Sequence, residues 1–325
     1  MLRIGTRGSQ LALWQANTVA ARIAEVGGPP CSIVTIKTSG DRLQEAPLSE
    51  IGGKRLFVKE IEDALLGGEI DLAVHSSKDM SVVLPEGLCI AAVLPREDPL
   101  DAIVFPITAV AALPSVDHLV AELGHSPVVG TGSVRRIAQL KRLIPGAQFT
   151  PIRGNLDTRL RKLDRREYDV LVLAAAGLLR LGLAARISMR LPATACLPAP
   201  GQGTVAIEIR EGDEEVLHLL ARIDDPQTAA ALSAERALVA ALGGGCQTPI
   251  GALATPIDGR ELELIAVVVS PDGSHAVRGE ARGPADQAAE LGRRVASQLV
   301  DEGADVILAE VRAHQSGDDP LGGSN

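Results

Sequence analysis

Polar side chains that could bind an anion or transfer a proton follow two apolar runs in the N-terminal part, and each run predicts a β-strand. The loop after the first run contains Arg7 and Ser9, and the loop after the other contains Ser76, Lys78 and Asp79. Ligands of open α/β sheets bind beyond the carboxyl ends of the strands. We therefore expect these five residues to line one cleft.

The same arrangement recurs in the middle of the chain, where strand-like runs are followed by loops rich in arginine. These loops contain Thr131, Ser133, Arg135, Arg136, Arg153, Gly154, Arg159 and Arg180. Ser9 and Ser133 can each cap the following helix, which turns backbone N–H groups and the positive helix end toward an anion. Two interpretations remain open: a cleft for a polyanion, which the clustering favours, or simple helix caps beside a solvated arginine face.

Charge is distributed unevenly along the chain. The total of 32 basic and 41 acidic residues gives −9, which argues against general affinity for nucleic acid. Residues 130–166 nevertheless contain ten basic and two acidic residues, so this segment is +8 and the remainder −17. Because the chain has only five aromatic residues, a stacking platform for nucleic acid is not indicated. The basic segment instead predicts a local polyanion site on an acidic protein.

Two residues could take part directly in chemistry. Asp79 is a carboxylate among cations, which should keep it ionised and able to stabilise a cation or relay a proton. The alternative is a local ion pair with Lys78. Cys246 follows three glycines, so its sulfur should be accessible and reactive, the alternative being an ordinary loop residue. For His75, at a strand end, a structural role is favoured over that of a base.

Several classes of protein are not indicated by the sequence. The four cysteines form no C-x-x-C pair and the six histidines no zinc-binding helical spacing, so we expect reduced thiols and no protein-ligated metal. The uncharged stretch over residues 102–116 contains two prolines and is too short to cross a bilayer. The N-terminus leads directly into a predicted strand without an apolar signal region. We therefore expect a cytoplasmic protein with no membrane partner.

The elements that must position these side chains follow a repeated strand, loop and helix pattern, which predicts an α/β fold with mainly parallel pairing. Breaks at 95–101 and 197–203 are typical of two crossings between adjacent domains. We expect domain 1 over residues 1–98 and 201–221 and domain 2 over 99–200. A third, smaller α/β domain is expected over 222–313, followed by a disordered tail over 314–325.

Individual elements are predicted from the apolar periodicity. In the first domain the pattern predicts a helix over residues 55–66 and a strand over 69–74. In the third it predicts helices over 228–242 and 285–300 and strands over 261–269 and 305–309.

With these residues assembled, the chain resembles the porphobilinogen deaminase family over nearly its whole length. The motifs that carry the resemblance are Thr6-Arg7-Gly8-Ser9, Gly52-Gly53-Lys54, Leu56-Phe57-Val58-Lys59-Glu60, His75-Ser76-Ser77-Lys78-Asp79, Arg96-Glu97-Asp98-Pro99, Gly130-Thr131-Gly132-Ser133-Val134-Arg135-Arg136, Arg153-Gly154-Asn155, Thr158-Arg159, Pro200-Gly201-Gln202-Gly203, Glu235-Arg236 and Gly244-Gly245-Cys246-Gln247. So many matches in the same order are hard to obtain by chance.

The resemblance implies a fold, a cofactor and a reaction. The fold would be two periplasmic-binding-protein-like domains with an active-site cleft between them, plus the third domain. Cys246 would hold one dipyrromethane cofactor per chain through a thioether. Four porphobilinogen molecules would be condensed head to tail with release of ammonia, and hydroxymethylbilane would be released by hydrolysis. Asp79 would be the catalytic carboxylate, stabilising the azafulvene-like cation left by deamination.

The resemblance also assigns binding roles. Besides Cys246, the cofactor would contact Lys78, Ser76, Thr131, Ser133, Arg135, Arg136, Arg153 and Gly154. The substrate would contact Arg7, Ser9, Lys54, Phe57, Arg153, Arg159, Arg180 and Gln202. Porphobilinogen is then the expected partner of a monomeric enzyme that binds neither nucleic acid nor membrane.

The sequence departs from the family pattern at three positions. Glu50 stands where a bacterial relative has lysine, Ser81 replaces the usual proline, and Gly132 replaces a Ser or Thr. These changes bear on how carboxylates are bound and leave Asp79 and Cys246 untouched. The alternative function is a two-domain dicarboxylate-binding protein without catalysis, whose transport form would need a signal peptide.

Overall fold

Three β-sheets divide the protein into three units in its computed structural model, which describes residues 1–39, 58–109, 112–245 and 248–316. In chain order the strands are β1 (Leu2–Thr6), β2 (Cys31–Thr35), β3 (Leu72–Ser76), β4 (Leu88–Val93), β5 (Asp101–Val104), β6 (Val128–Gly130), β7 (Gln148–Thr150), β8 (Val170–Ala174), β9 (Met189–Arg190), β10 (Val205–Arg210), β11 (Ile250–Ile257), β12 (Glu261–Val269) and β13 (Ala276–Pro284). The α-helices are α1 (Gln10–Glu25), α2 (Lys59–Leu66), α3 (Val116–Leu123), α4 (Val134–Leu143), α5 (Leu156–Asp164), α6 (Ala175–Arg180), α7 (Glu214–Leu220), α8 (Pro226–Ala241), α9 (Ala288–Asp301) and α10 (Ala304–Ser316). We call the units domains 1, 2 and 3.

Domain 1 is built on a five-stranded sheet in the order β2-β1-β3-β10-β4. Helix α1 begins after Ser9, whose Oγ accepts a hydrogen bond from the Ala12 amide at 3.2 Å. The apolar stripe of α1, which includes Val19 and Ile23, is fully buried against the sheet with Ile4. Burial of each such side chain stabilises the domain by about 1.5–3 kcal/mol and fixes the start of α1 at the carboxyl end of β1.

Domain 2 repeats this design with the order β7-β6-β8-β5-β9. Its helices α4 and α5 also begin at capping side chains, Ser133 and Asn155, which accept from backbone amides three residues further on. Strands β5 and β8 are almost entirely apolar and buried, with Leu171 and Val172 facing opposite sides of the sheet. The two five-stranded sheets therefore present equivalent, loop-bearing edges.

The expected predominance of parallel pairing is wrong for the strands nearest the domain crossings. β10 runs antiparallel to both β3 and β4, and β5 runs antiparallel to both β8 and β9. Each of these strands begins at a crossing, and its first residue pairs with the carboxyl end of a neighbouring strand: Val205 with Ser76, and Asp101 with Ala174. A strand that enters its sheet from the crossing must run opposite to the strands that end there.

Domain 3 is a three-stranded antiparallel sheet, β11-β12-β13, with α8, α9 and α10 packed in one core. The predicted strand over 305–309 is wrong, because these residues belong to α10. Ile307, Leu308 and Val311 are buried while Val306 is 58% exposed, which is a helical pattern that a short apolar run does not reveal. The predicted tail starts too early, since α10 extends to Ser316.

The other predicted elements of domains 1 and 3 differ mainly at their ends. The strand predicted over 69–74 is β3, which begins three residues later and ends two residues later. The helix predicted over 55–66 begins at Lys59, and residues 55–57 lie outside the described residues. Helix α8 and strand β12 agree with prediction within two residues, and α9 begins after a 3₁₀ turn, Ala285–Gln287. The domain limits themselves stay a prediction. Within the described ranges, no helix combines the length and apolarity that crossing a membrane requires.

Glu235 of α8 joins domain 3 to both crossings between domains 1 and 2. Its side chain is fully buried, and its carboxylate accepts hydrogen bonds from Arg96 Nη1 at 2.6 Å and from the amide of Gly201 at 2.6 Å. It also accepts from the amide of Ala254 in β11 at 2.8 Å. Arg96 belongs to the first crossing and Gly201 to the second, so one carboxylate fixes three segments.

Replacing Glu235 with glutamine should lower the free energy of unfolding by about 3 kcal/mol, because it leaves the mostly buried Arg96 guanidinium without a counter-charge. Urea unfolding followed by circular dichroism measures this loss. The matched control is Glu290→Gln, which removes an exposed ion pair with Arg293 and should cost under about 1 kcal/mol. Equal effects of the two changes would contradict a structural role for Glu235.

Domain 3 also contacts domain 2 through the turn between β12 and β13. Lys141 Nζ donates to the Pro271 carbonyl at 3.2 Å, and Arg142 Nη1 donates to the Gly273 carbonyl at 2.7 Å. Both cations lie in the last turn of α4. The helix that starts at Ser133 is therefore held at its other end by domain 3.

Candidate active-site cleft

Charged side chains from both domains meet around Arg159 of α5. Burial and the nearby cations Arg136, Arg153 and Arg7 together lower the pKa of Arg159 to about 10, although Asp79 acts to raise it. Arg7 and Asp79 follow strands of domain 1, and the other three belong to domain 2. Arg159 therefore lies within electrostatic range of charged groups from both domains, and one of these groups is the carboxylate of Asp79.

Asp79 is half-buried at the end of a 3₁₀ turn, Ser77–Asp79, that directly follows β3. The turn is fixed by two backbone hydrogen bonds, from the Ser77 amide to Thr204 O at 2.9 Å and from the Met80 amide to Ser77 O at 3.1 Å. Because Thr204 immediately precedes β10, the returning strand holds this turn in place. The backbone thus sets the position of the carboxylate.

Asp101, the first residue of β5, is a functional residue that the sequence reasoning missed. It is fully buried and accepts from Arg135 Nη1 at 2.7 Å, Arg136 Nη2 at 2.7 Å and Gln202 Nε2 at 2.9 Å. Burial raises its pKa, but the adjacent Arg135 and Arg136 outweigh burial and hold the pKa well below the usual range. An acidic residue at the head of the apolar run 101–105 was the available signal.

Arg135 and Arg136 both bind Asp101, and each also donates to a backbone carbonyl. The Arg135 side chain is 5% exposed and also donates to the Leu197 carbonyl in the second crossing. The Arg136 side chain is 9% exposed and donates through Nη1 to the Val172 carbonyl at 2.8 Å. Their predicted contact with a cofactor stays a prediction. The structure shows them orienting each other through Asp101, a partner that sequence spacing could not reveal.

Gln202 connects this buried cluster to the turn that bears Asp79. Its Nε2 donates to the Pro99 carbonyl at 2.7 Å as well as to Asp101, and its Oε1 accepts from Lys78 Nζ at 3.3 Å. Gln202 is fully buried, so these contacts use most of its hydrogen-bonding capacity. Its predicted contact with substrate stays a prediction. Its evident function is to position Lys78.

Asp101→Asn should lower the free energy of unfolding by about 3 kcal/mol or more, since two buried guanidinium groups lose their counter-charge. A carboxylate with a depressed pKa contributes stability that is present above about pH 4 and lost as pH falls further. Below about pH 4, the free energy of unfolding of Asp101→Asn should therefore fall less steeply with pH than that of the parent. Urea unfolding at neutral and acid pH measures both effects, and Asp164→Asn, at the partly exposed pair with Arg186, is the control.

An unchanged stability of Asp101→Asn, or the same loss in Asp164→Asn, would contradict the assignment of Asp101 as the counter-charge of the cluster.

The polar groups at the helix starts line the same edge. Ser9 and Ser133 cap their helices, and Thr131 Oγ1 accepts from the Ser133 amide at 3.3 Å. Gly154 has φ +104°, and its carbonyl accepts from Arg159 Nε at 2.8 Å. A side chain at Gly154 would be strained at this φ and would meet Thr158 at 2.8 Å, so the loop that aims Arg159 requires glycine.

Ser76 has a partner that the sequence analysis did not anticipate. Gln15 of α1 donates through Nε2 to Ser76 Oγ at 2.9 Å, although Gln15 lies on the buried face of the helix. An amide in the middle of an apolar helical stripe was the signal that could have identified it. The contact ties α1 to the loop of Asp79, because Ser76 begins that loop.

Arg180, at the end of α6, faces domain 1. Its Nη2 donates to the Gly203 carbonyl at 2.7 Å, and its guanidinium carbon lies 5.5 Å from the centroid of the Trp14 ring. Burial, partly offset by Glu97, lowers the pKa of Arg180 to about 10. The structure thus places Arg180 at the junction of the two domains.

Three predicted site residues, Lys54, Phe57 and Cys246, lie outside the described residues, as does Glu50. On the two sides of residues 246–247, Thr248 donates its amide at 3.1 Å and its hydroxyl at 2.6 Å to the Gly245 carbonyl. The predicted roles of these residues stay predictions.

The strand order and the charge cluster together define a class, that of two-domain α/β proteins that bind a polyanion in an interdomain cleft. Here a third domain is bound to the two crossings between those domains. The half-buried carboxylate of Asp79, which acts on Arg159, is suited to stabilising positive charge in a bound ligand.

Comparison with known proteins supplies the family. The model for the "Porphobilinogen deaminase, dipyromethane cofactor binding domain" matches residues 2–218, and that for the "Porphobilinogen deaminase, C-terminal domain" matches residues 229–301. The chain therefore belongs to the porphobilinogen deaminase family. This membership indicates a transferase and does not favour the alternative of a binding protein without catalysis.

Full-length relatives agree with the family models. The porphobilinogen deaminase of Syntrophomonas wolfei is 46% identical over 312 residues, covering 96% of this chain and 99% of the relative. That of Desulforudis audaxviator is 49% identical over 312 residues, covering 95% and 97%. Among solved structures, an ancestral cationic amino acid solute binding protein covers 68% of this chain and 87% of its own, with 16% identity and a TM-score of 0.42. The fold assignment rests on the strand order rather than on this distant likeness.

Proposed function

We propose that the protein is a hydroxymethylbilane synthase, which joins four porphobilinogen molecules head to tail. Each addition releases ammonia, and hydrolysis releases the linear product. The observation that carries the proposal is that Arg7 and Asp79 of domain 1 and Arg136 and Arg153 of domain 2 all act electrostatically on Arg159. Membership of the porphobilinogen deaminase family supports it.

The charge of the cluster matches the charge of the substrate. Each porphobilinogen carries two carboxylates, so a growing chain accumulates negative charge in one place. The lowered pKa of Arg159 reflects burial and repulsion by the other arginines. Carboxylates bound in the cleft relieve that repulsion and form charge-assisted hydrogen bonds with the guanidinium groups. The cleft is therefore suited to several carboxylates at once.

The same donor set fits a dipyrromethane cofactor, which we propose is held once per chain by a thioether to Cys246. When bound, this group supplies the primer to which pyrroles are added. Lys78, Ser76 and the loops of Thr131, Ser133, Arg153 and Gly154 would hold its carboxylates. They present cations, hydroxyls and helix N-termini on both walls of the cleft. Gln202 and Gln15 keep Lys78 and Ser76 oriented.

Asp79 is the residue that we propose acts on the reacting pyrrole. Loss of ammonia from porphobilinogen breaks a carbon–nitrogen bond and leaves a methylene-pyrrole cation. An ionised carboxylate within a partly buried site stabilises that cation and accepts a hydrogen bond from the pyrrole N–H. The 3₁₀ turn fixes the position of Asp79, and its carboxylate acts electrostatically on Arg159.

The test is the stoichiometry of the purified protein with porphobilinogen. We expect one ammonia per porphobilinogen consumed and a linear tetrapyrrole as the product, identified by mass. Binding of porphobilinogen without ammonia release would instead establish the non-catalytic binding protein and overturn the proposal.

A further inference from the structure

The contact between Trp14 and Arg180 joins domain 1 to domain 2. Trp14 lies on α1 of domain 1 and Arg180 on α6 of domain 2, with 5.5 Å between the guanidinium carbon and the ring centroid. The two helices approach closely at Gly177, where an added Cβ would lie 3.6 Å from Leu11 Cδ2. The stack is thus part of a direct helix-to-helix junction between the domains.

The partners of Arg180 are weak ones for a buried cation. The guanidinium donates to the Gly203 carbonyl and stacks on the Trp14 ring. Across the described part of the chain, Arg180 makes no ion pair, and Glu97 influences it only at a distance. A cation–π contact is worth far less than a paired, hydrogen-bonded carboxylate in such a setting. These partners can therefore be exchanged for a ligand carboxylate.

Trp14 is 37% exposed, although it is the only tryptophan of the chain. Trp14 lies outside the buried face of α1, which is formed by Gln15, Ala16, Val19 and Ile23. The indole therefore contributes little to the core of domain 1. The described contact that its ring makes with a charged group is the one with Arg180.

We propose that Trp14 is a positioning residue that holds Arg180 as an interdomain latch until a carboxylate of the lengthening chain displaces the indole. This inference rests on the proposed function, because it requires a polycarboxylate that grows within the cleft. Because the stack exists only until the carboxylate binds, it opposes binding by the free energy of the contact, which the charge-assisted pair of Arg180 with the carboxylate outweighs. Release of the stack then removes one contact that holds the two domains together.

The latch can be followed by fluorescence, because Trp14 is the sole tryptophan. In the holoenzyme we expect the emission of Trp14 to change when porphobilinogen is added. The change should develop as pyrrole units accumulate. In Arg180→Gln the emission before substrate is added should already differ from that of the parent, in the same direction. This second comparison needs no turnover, so it tests the stack independently of the proposed function.

Kinetics of two Trp14 variants separate positioning from general stability. Trp14→Leu removes the π face that the ligand carboxylate must displace and should lower KM for porphobilinogen about 3- to 5-fold with a smaller change in kcat. Trp14→Phe retains an aromatic face and should stay within about 2-fold of the parent. Thermal unfolding of both variants serves as the check on folding.

The outcomes are distinguishable. If the parent releases ammonia but its emission does not change on loading, or if Trp14→Leu and Trp14→Phe have the same KM, the latch is wrong and the proposed function stands. If the parent releases no ammonia, the proposed function is wrong, and an emission difference in Arg180→Gln still establishes the stack alone.

Discussion

Replacing Cys246 with serine should give a protein with the mass of the bare chain that releases no ammonia from porphobilinogen. The parent should carry the added mass of two linked pyrrole units. A serine hydroxyl is a much weaker nucleophile than a thiol near neutral pH, so it should not form the corresponding link. Intact-protein mass spectrometry together with an ammonia assay measures both results.

Cys31→Ser is the matched control for this change. Cys31 is a free thiol in β2, and burial raises its pKa, which disfavours the reactive thiolate. The control should retain the added mass and the activity. A bare-chain mass in active parent protein, or a normal adduct in Cys246→Ser, would contradict the assignment of Cys246.

The cofactor-free protein should also be less stable to heat than the parent. Without bound carboxylates, repulsion among Arg7, Arg153 and Arg159 is not relieved, and a ligand that binds only the folded state raises its stability. We expect the melting temperature of Cys246→Ser to fall by several degrees, with a smaller difference at high salt, which screens the arginines.

Asp79→Asn should lower kcat by about 100-fold or more while leaving the mass adduct in place. Asparagine has nearly the same shape but no charge, so the cation left by deamination loses its stabilising partner. The arginines that bind carboxylates remain, and KM for porphobilinogen should change by less than about 10-fold. Steady-state ammonia release and intact mass separate these two effects.

The control for Asp79 is Asp286→Asn, at an exposed acidic residue of domain 3. It removes the same charge from the protein and should leave kcat within about 2-fold. A kcat of Asp79→Asn close to that of the control would remove Asp79 from the mechanism.

The sequence was sufficient for the parts of the site that follow from local rules. Ser9 and Ser133 do cap helices, as a serine before an apolar stripe predicts, and Arg7, Asp79 and Arg159 do converge because they follow parallel strands. The rule that ligands bind at strand ends needs only the order of strand and loop. Such features can be read along the chain.

Features that depend on distant partners could not be predicted. Asp101 lies more than thirty residues from Arg135 and a hundred from Gln202, so nothing local shows that it is their shared acceptor. The direction of β5 and β10 depends on where the chain crosses between domains, which apolar patterning does not encode. The run over 305–309 is too short for its periodicity to distinguish a strand from a helix.

The position of Glu235 limits how this architecture can be taken apart. Arg96 and the amide of Gly201 belong to the two crossings between domains 1 and 2, yet the carboxylate that accepts their hydrogen bonds comes from domain 3. Cutting the chain before α8 would therefore strand a buried guanidinium and a backbone N–H in the pair that remains. Domains 1 and 2 therefore depend on domain 3, and we expect the three domains to be inherited together as one unit.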